Sequence, residues 1–215
     1  MRSKEEKPRD FYTPSSKKVN SLELKIEDIS NIDELEIFIK KSNICDLKNH
    51  ANHAVIGDGD TQADIMLIGE APGAEEDKIG KPFVGAAGQL LNKMLSAINL
   101  DRNKIYITNV IPWRPPNNRT PSNDEILQCL PFLQKHIELI KPKFIILLGA
   151  IAAKSVLSTT HSISKLRGQW HKYKSLYLNE SILCLATYHP AFLLRSPNYK
   201  KQSWEDLQML QQKIV

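Results

Sequence analysis

Asp64-Ile65-Met66-Leu67-Ile68-Gly69-Glu70-Ala71-Pro72-Gly73 is the stretch from which the fold can be read. Ile65–Ile68 is an uninterrupted apolar run, the pattern of a strand covered on both faces. Two glycines and a proline then force a tight loop at the strand's carboxyl end, where open α/β sheets hold their ligands. Glu75-Glu76-Asp77 and Gly80-Lys81-Pro82-Phe83-Val84-Gly85 follow, so carboxylates, backbone N–H groups and an aromatic ring are gathered behind one strand.

On either side the same alternation repeats. Ile26–Ser42 carries Ile29, Ile32, Leu35, Phe38 and Ile39 at helical spacing. After the glycine loop, Ala86–Ile98 predicts a helix with Leu90, Leu91, Met94 and Leu95 on one face, and Ile105–Val110 a second strand. A proline-rich loop (Pro115, Pro116, Pro121) leads to the helix start Ser122-Asn123-Asp124-Glu125, continued by Leu127, Leu130, Leu133 and Ile137. Phe144–Leu148 is a third strand, ending at Gly149 before the helix Ala150–Leu157. Trp170–Tyr173 and Ser175–Leu178 form a candidate hairpin, Ile182–Ala186 a last strand running into Thr187-Tyr188-His189-Pro190, and Trp204–Ile214 a closing helix. Strands apolar on both faces and alternating with helices imply an α/β protein with a parallel sheet between helical layers. Right-handed crossovers put every strand's carboxyl end on one rim, which collects the Glu70 loop, Asn109, Gly149 and His189.

At 215 residues the chain fits one sizeable domain, expected over 21–215, with a polar, proline-punctuated basic tail over 1–20. An apolar fraction of 41% and a charged fraction of 25% are those of a soluble globular protein. The longest apolar run, Phe144–Ala153, falls short of the ~18 residues that suggest a membrane span, so no membrane partner is expected. No apolar segment follows the N-terminal charges, and Cys45, Cys129 and Cys184 are odd in number and far apart; a reduced, cytoplasmic protein is the expectation. The net charge of +5 hints at a polyanionic partner, but residues 1–18 supply +3 of it. Binding of nucleic acid has to rest on local clusters.

Several segments match a known family. Gly69–Gly73 with Glu76-Asp77, Pro82–Gly85 with Gly88, Tyr106-Ile107-Thr108-Asn109, Arg114–Arg119, Leu148-Gly149, Arg167-Gly168 and His189–Arg195 resemble, in order and spacing, the family 4 uracil-DNA glycosylases, the iron–sulfur type. Seven motifs in register over roughly 42–207 are specific where one glycine-rich loop is not. The resemblance implies a three-layer α/β/α sandwich around a four-stranded parallel sheet. It also implies a base-excision repair enzyme that flips uracil out of single- or double-stranded DNA, hydrolyses its N-glycosidic bond and leaves an abasic site, acting as a monomer.

Carried over residue by residue, the resemblance gives each rim group a task. His189 donates a hydrogen bond to the anion developing on uracil O2, and Asn109 matches uracil N3–H and O4 with an acceptor and a donor. Phe83 stacks on the extruded base beside Ala71, and Glu76 walls off the 5-methyl of thymine. Some uracil glycosylases of other families place an aspartate where this chain has Ala71. Glu70 is then the nearest carboxylate, either catalytic or a brace for its own loop. Leu193 or Leu194 would fill the gap left in the base stack, with Arg195, Arg119 and Arg167 on phosphates. The family's [4Fe–4S] cluster takes four cysteines, which the pattern places at 42, 45, 113 and 129; this chain has Ser42, Cys45, Trp113 and Cys129 there. Such clusters normally need four thiolates, so the expectation is that the cluster is lost, that no cofactor is held and that Trp113 plugs the space. No close histidine–carboxylate group supports another metal. Two other classes compete: a DNA-binding module of this fold that has lost catalysis, and a small-molecule hydrolase or nucleotide-binding enzyme. The last would want a nucleophile elbow or a phosphate loop with lysine, and neither is present.

Overall fold

The computed structural model describes residues 25–175 and 178–214; the expected tail over 1–20 lies outside them. Among the described residues six strands form one sheet: β1 (Asp58–Gly59), β2 (Ile65–Gly69), β3 (Tyr106–Asn109), β4 (Phe144–Leu148), β5 (Trp170–Tyr173) and β6 (Ile182–Thr187), ordered β1-β3-β2-β4-β6-β5. The inner four are mutually parallel, as the apolar runs predict. An antiparallel strand is added at each edge, β1 on β3 and β5 on β6. The expected hairpin partner of Trp170–Tyr173 is replaced: these residues pair with Ile182–Leu185. Ser175 and Leu178 lie outside any strand, and the two residues between them are not among those described.

The helices are α1 (Ile32–Lys41), α2 (Ala74–Ile79), α3 (Ala86–Ser96), α4 (Asn123–Ile140), α5 (Ala150–Leu157), α6 (Ile163–Leu166), α7 (Pro190–Arg195) and α8 (Lys200–Ile214). The first starts later than its apolar spacing suggests. Asn31 is its N-cap, accepting from Glu34 N at 2.9 Å, and Ile26–Asp28 form a separate 3-10 turn. At the expected start of α4, Ser122 and Glu125 build a capping box, and the helix continues through Pro131. No described helix is long and apolar enough to cross a membrane.

Strand periodicity divides the core into two layers. Met66, Ile68, Ile145, Leu147, Cys184 and Ala186 face one side and pack with Leu35, Ile39, Phe132, Leu133 and Ile137 of α1 and α4. Ile65, Leu67, Ile107, Ile146, Leu148 and Leu185 face the other and meet Leu91 and Leu95 of α3 and Leu207 and Leu210 of α8. This is the expected three-layer sandwich. The chain leaves β2 for β3 on one side and returns to β4 on the other, so the carboxyl ends of β2 and β4 flank a topological switch point, where such sheets hold their ligand cleft.

One buried group stands apart from that cleft. His136 of α4 is 3% exposed, packs on Tyr106 with centroids 5.9 Å apart, and has Nδ1 3.2 Å from Phe132 O; no partner among the described residues meets its Nε2. Burial lowers its pKa from 6.5 to about 4. The unfolded chain therefore binds this proton first, and stability falls as pH drops from 6.5 toward about 4. Thermal melts of His136→Leu should show a shallower loss of Tm across that window than the parent protein; parallel curves would contradict the assignment.

Candidate active site

Three side chains from separate segments converge at the switch point, and they do so because two strand ends lack side chains. β2 and β3 are in register with Gly69 opposite Asn109. A Cβ on Gly69 would lie 2.4 Å from Asn109 Oδ1 and 2.6 Å from Phe83 Cζ, so amide and ring both occupy the space it leaves. At the end of β4, Gly149 adopts φ +95°, and a Cβ there would sit 2.9 Å from His189 Cβ. Phe83 and His189 rings then lie 5.6 Å apart, tilted by 32°. All three line one cleft of about 530 Å3 together with Glu70, Ala71 and Glu76.

Each of the three is set chemically as well as spatially. Asn109 is 5% exposed, and its buried Oδ1 has no hydrogen-bond partner among the described residues. A buried acceptor without a partner is costly, and a small shift of this cleft-lining side chain toward a ligand donor would satisfy it. His189 is the N-cap of α7, and its Nδ1 accepts from Ala191 N at 3.1 Å. An acceptor Nδ1 leaves the proton of a neutral imidazole on Nε2. Burial, aided by the Arg195 cation, lowers the ring's pKa to about 4, so it is neutral at physiological pH. The cleft lining thus holds one unpartnered acceptor, one N–H donor and one aromatic ring.

Phe83 itself is 5% exposed with φ 53°, a left-handed backbone that non-glycine residues rarely adopt. Two charged side chains hold it there. Arg102, in the 3-10 turn Arg102–Lys104, donates from Nη1 to Phe83 O (3.1 Å) and from Nη2 to Pro82 O (2.7 Å), and is anchored to Asn92 and Asp58. From the other side Glu76 Oε1 accepts from Val84 N (2.9 Å) and Gly85 N (2.8 Å), capping α3, whose N-cap glycine has no side chain to do so. Arg102 went unnoticed in the sequence because its partners are backbone carbonyls some twenty residues away, which no motif encodes.

The remaining predicted residues divide. Glu70 is half-buried on the cleft wall; burial raises its pKa and Arg195 opposes the rise. Arg195 and Leu194 are exposed beside the cleft, Leu194 at 44%. Leu193 is 1% exposed and packed inward, so only Leu194 of the pair is free to enter a base stack. Arg119 lines the cleft but is paired bidentately with Glu125 at 2.8 and 2.6 Å, which draws the Glu125 carboxyl down to about 2. Arg167 is committed elsewhere: its Nε and Nη2 donate to buried Asp206 of α8 at 3.0 and 2.7 Å. Asp206 also accepts from Thr187 Oγ1 at 2.7 Å, one strand residue before Tyr188-His189. The expectation of a phosphate contact for Arg167 gives way to a structural one, since freeing it would strand a buried carboxylate.

Away from the cleft, Cys45, Trp113 and Cys129 are all buried in the apolar layer beneath α1 and α4. The Trp113 ring meets Phe132 edge-on at 6.0 Å, and Phe132 meets Phe38 likewise at 6.1 Å. Ser42 is half-buried, its Oγ 3.3 Å from Ile44 N. Among the described residues no group of three or more His, Cys, Asp or Glu side chains is placed to hold a metal ion. His53 bonds the α2 backbone at Asp77 O, 2.6 Å away.

Fold and cleft together define a doubly wound α/β protein with its ligand site at the sheet's switch point. Residues 56–208 match the Uracil DNA glycosylase superfamily. The chain is 42% identical over 195 residues to the type-4 uracil-DNA glycosylase of Sulfurisphaera tokodaii, covering 88% of this chain and 86% of that one. It is 40% identical to the type-4 enzyme of Pyrobaculum aerophilum (83% and 92% covered) and 40% identical to that of Thermotoga maritima (74% and 80%). The chain belongs to the uracil-DNA glycosylase superfamily.

The clamp on Phe83 has a direct readout. Arg102→Leu removes the donors to Pro82 and Phe83 carbonyls, and amide hydrogen exchange at Val84 and Gly85 should quicken by about tenfold or more, each charged hydrogen bond being worth ~1.5–3 kcal/mol. Exchange in β2 and β4 should stay unchanged; uniform acceleration would mean global destabilisation instead.

Proposed function

We propose that this chain is a monofunctional uracil-DNA glycosylase, which hydrolyses the bond between deoxyribose C1′ and uracil N1 and leaves an abasic site. The observation that carries the reading is that Asn109, whose buried Oδ1 has no partner among the described residues, lines one cleft with His189 and Phe83. Uracil presents N3–H, which suits that acceptor, and O4, which suits the amide NH2 of the same residue. Cytosine has no N3–H and carries an amine at C4, so both groups would face like partners. Phe83 offers a face for stacking, worth ~1–3 kcal/mol.

Heterolysis leaves the bonding electrons on the base, as an anion shared between N1 and the carbonyl oxygens, and an oxocarbenium-like sugar. A donor aimed at O2 stabilises the first, and His189 Nε2–H fills that role without carrying a charge. Glu70, on the wall of the cleft, is suited to steady the sugar cation or orient the water that adds to C1′. Glu76 has one oxygen held by Val84 and Gly85 amides, a rigid carboxylate suited to exclude the thymine methyl. For reaching a base inside a duplex, exposed Leu194 is the wedge and Arg195 its phosphate partner. Arg119 would join them only by exchanging Glu125 for a phosphate.

Purified protein should release uracil from a uracil-containing oligonucleotide, detected as strand scission after alkali. His189→Ala should cut the rate by about 10²–10³, the usual cost of one oxyanion donor. His189 should add no inflection to the rate at the ordinary histidine value of 6.5, because the ring's pKa is about 4; a loss of rate on the acid side belongs to Glu70, whose pKa burial raises. Uracil-containing DNA that binds but stays uncut would identify a module that has lost catalysis.

We also propose that no [4Fe–4S] cluster is held. A cluster asks for four thiolates, and the four positions offer two thiols, a hydroxyl and an indole that has no free donor pair. The residues do not fit the group, and Trp113 packed on Phe132 is suited to fill its space. Anaerobically purified protein should contain no stoichiometric iron or acid-labile sulfide; one cluster's worth of either would contradict this.

A further inference from the structure

Beside the cleft lies an aromatic cluster that no step above uses. Tyr188, Phe192 and Tyr199 form a closed triangle, with centroids 5.2 Å (Tyr188–Phe192), 5.1 Å (Tyr188–Tyr199) and 5.0 Å (Phe192–Tyr199) apart. Tyr188 and Phe192 line the cleft, whereas Tyr199, in the 3-10 turn Pro197–Tyr199, does not and is 40% exposed. The cluster therefore runs continuously from the cleft wall to the surface. Exposed Arg195, Lys200 and Lys201 lie along the same segment. Glu70 and Glu76, which line the cleft from the segment after β2, repel phosphates. A polyanion whose one base occupies the cleft is thus drawn out along the α7–α8 side, over Tyr199.

We propose that Tyr199, backed by Phe192 and Tyr188, is a stacking subsite for a nucleotide flanking the extruded uracil on single-stranded DNA, with Arg195, Lys200 and Lys201 meeting its phosphates. Aromatic rings interleaved with cations are how single strands are held without regard to sequence, since every base has a π-face. This subsite rests on DNA being the substrate. It does not depend on excision, because an oligonucleotide without uracil can occupy it.

The test uses the full chain and a fluorescein-labelled oligothymidylate, followed by anisotropy at low salt. Tyr199→Leu keeps an apolar side chain under the cluster but removes the π-face; it should weaken binding about five- to hundredfold, whereas Tyr199→Phe stays within about twofold. With a single-stranded uracil oligonucleotide, Tyr199→Leu should raise KM and leave kcat unchanged, a split that loosened packing around His189 would not produce. Equal binding by parent and Tyr199→Leu overturns the subsite, as does an equal loss in Tyr199→Phe or a fall in kcat. Absence of excision from the parent protein would instead overturn the glycosylase reading.

Discussion

The site depends on the lack of a side chain at the end of β2. Gly69 lies in register with Asn109, and the volume a Cβ would take is filled by the Asn109 amide oxygen and the edge of Phe83. An amide can meet the edge of a planar ligand while an aromatic ring covers its face only if the two approach this closely. The same device recurs at Gly149, where the backbone goes left-handed and His189 closes in from β6. Neighbouring strands are about 5 Å apart, and β2 and β4 lie between β3 and β6, so side chains at the ends of the outer two share a cleft only when nothing intervenes.

Polar contacts then hold these groups in place. Phe83 is gripped through its backbone, carbonyls to Arg102 and following amides to Glu76. His189 is fixed in tautomer by Ala191 N, and the strand that delivers it is tied by Thr187 to Asp206 and through Asp206 to Arg167. Charge at this rim is thus mostly spent on geometry. The groups offered to a ligand are neutral: an amide, an imidazole and a ring. That suits a reaction whose charges appear only in the transition state, because preorganised dipoles stabilise them without reorganising.

The sheet was legible because its inner strands are apolar on both faces, a pattern that Ile65–Ile68 and Phe144–Leu148 display without ambiguity. The edge strands were not: β1 is two residues long, and β5 was assigned the wrong partner, since alternation shows that a strand exists but not what it pairs with. At the rim, Asn109, His189 and Phe83 were found by reading strand ends and family motifs, and they do share a cleft. Arg167 and Leu193 show the limit. Both sit in motifs with the composition of a DNA contact, but Arg167 has a buried partner 39 positions along the chain and Leu193 faces the core. Burial and long-range pairing are tertiary facts that composition does not carry.

The most direct measurement is 15N NMR of the His189 imidazole with and without uracil. At neutral pH the ring should be neutral and protonated on Nε2, and its Nε2 resonance should move as free uracil saturates the cleft. A charged ring, the opposite tautomer, or an Nε2 signal indifferent to bound uracil would contradict this.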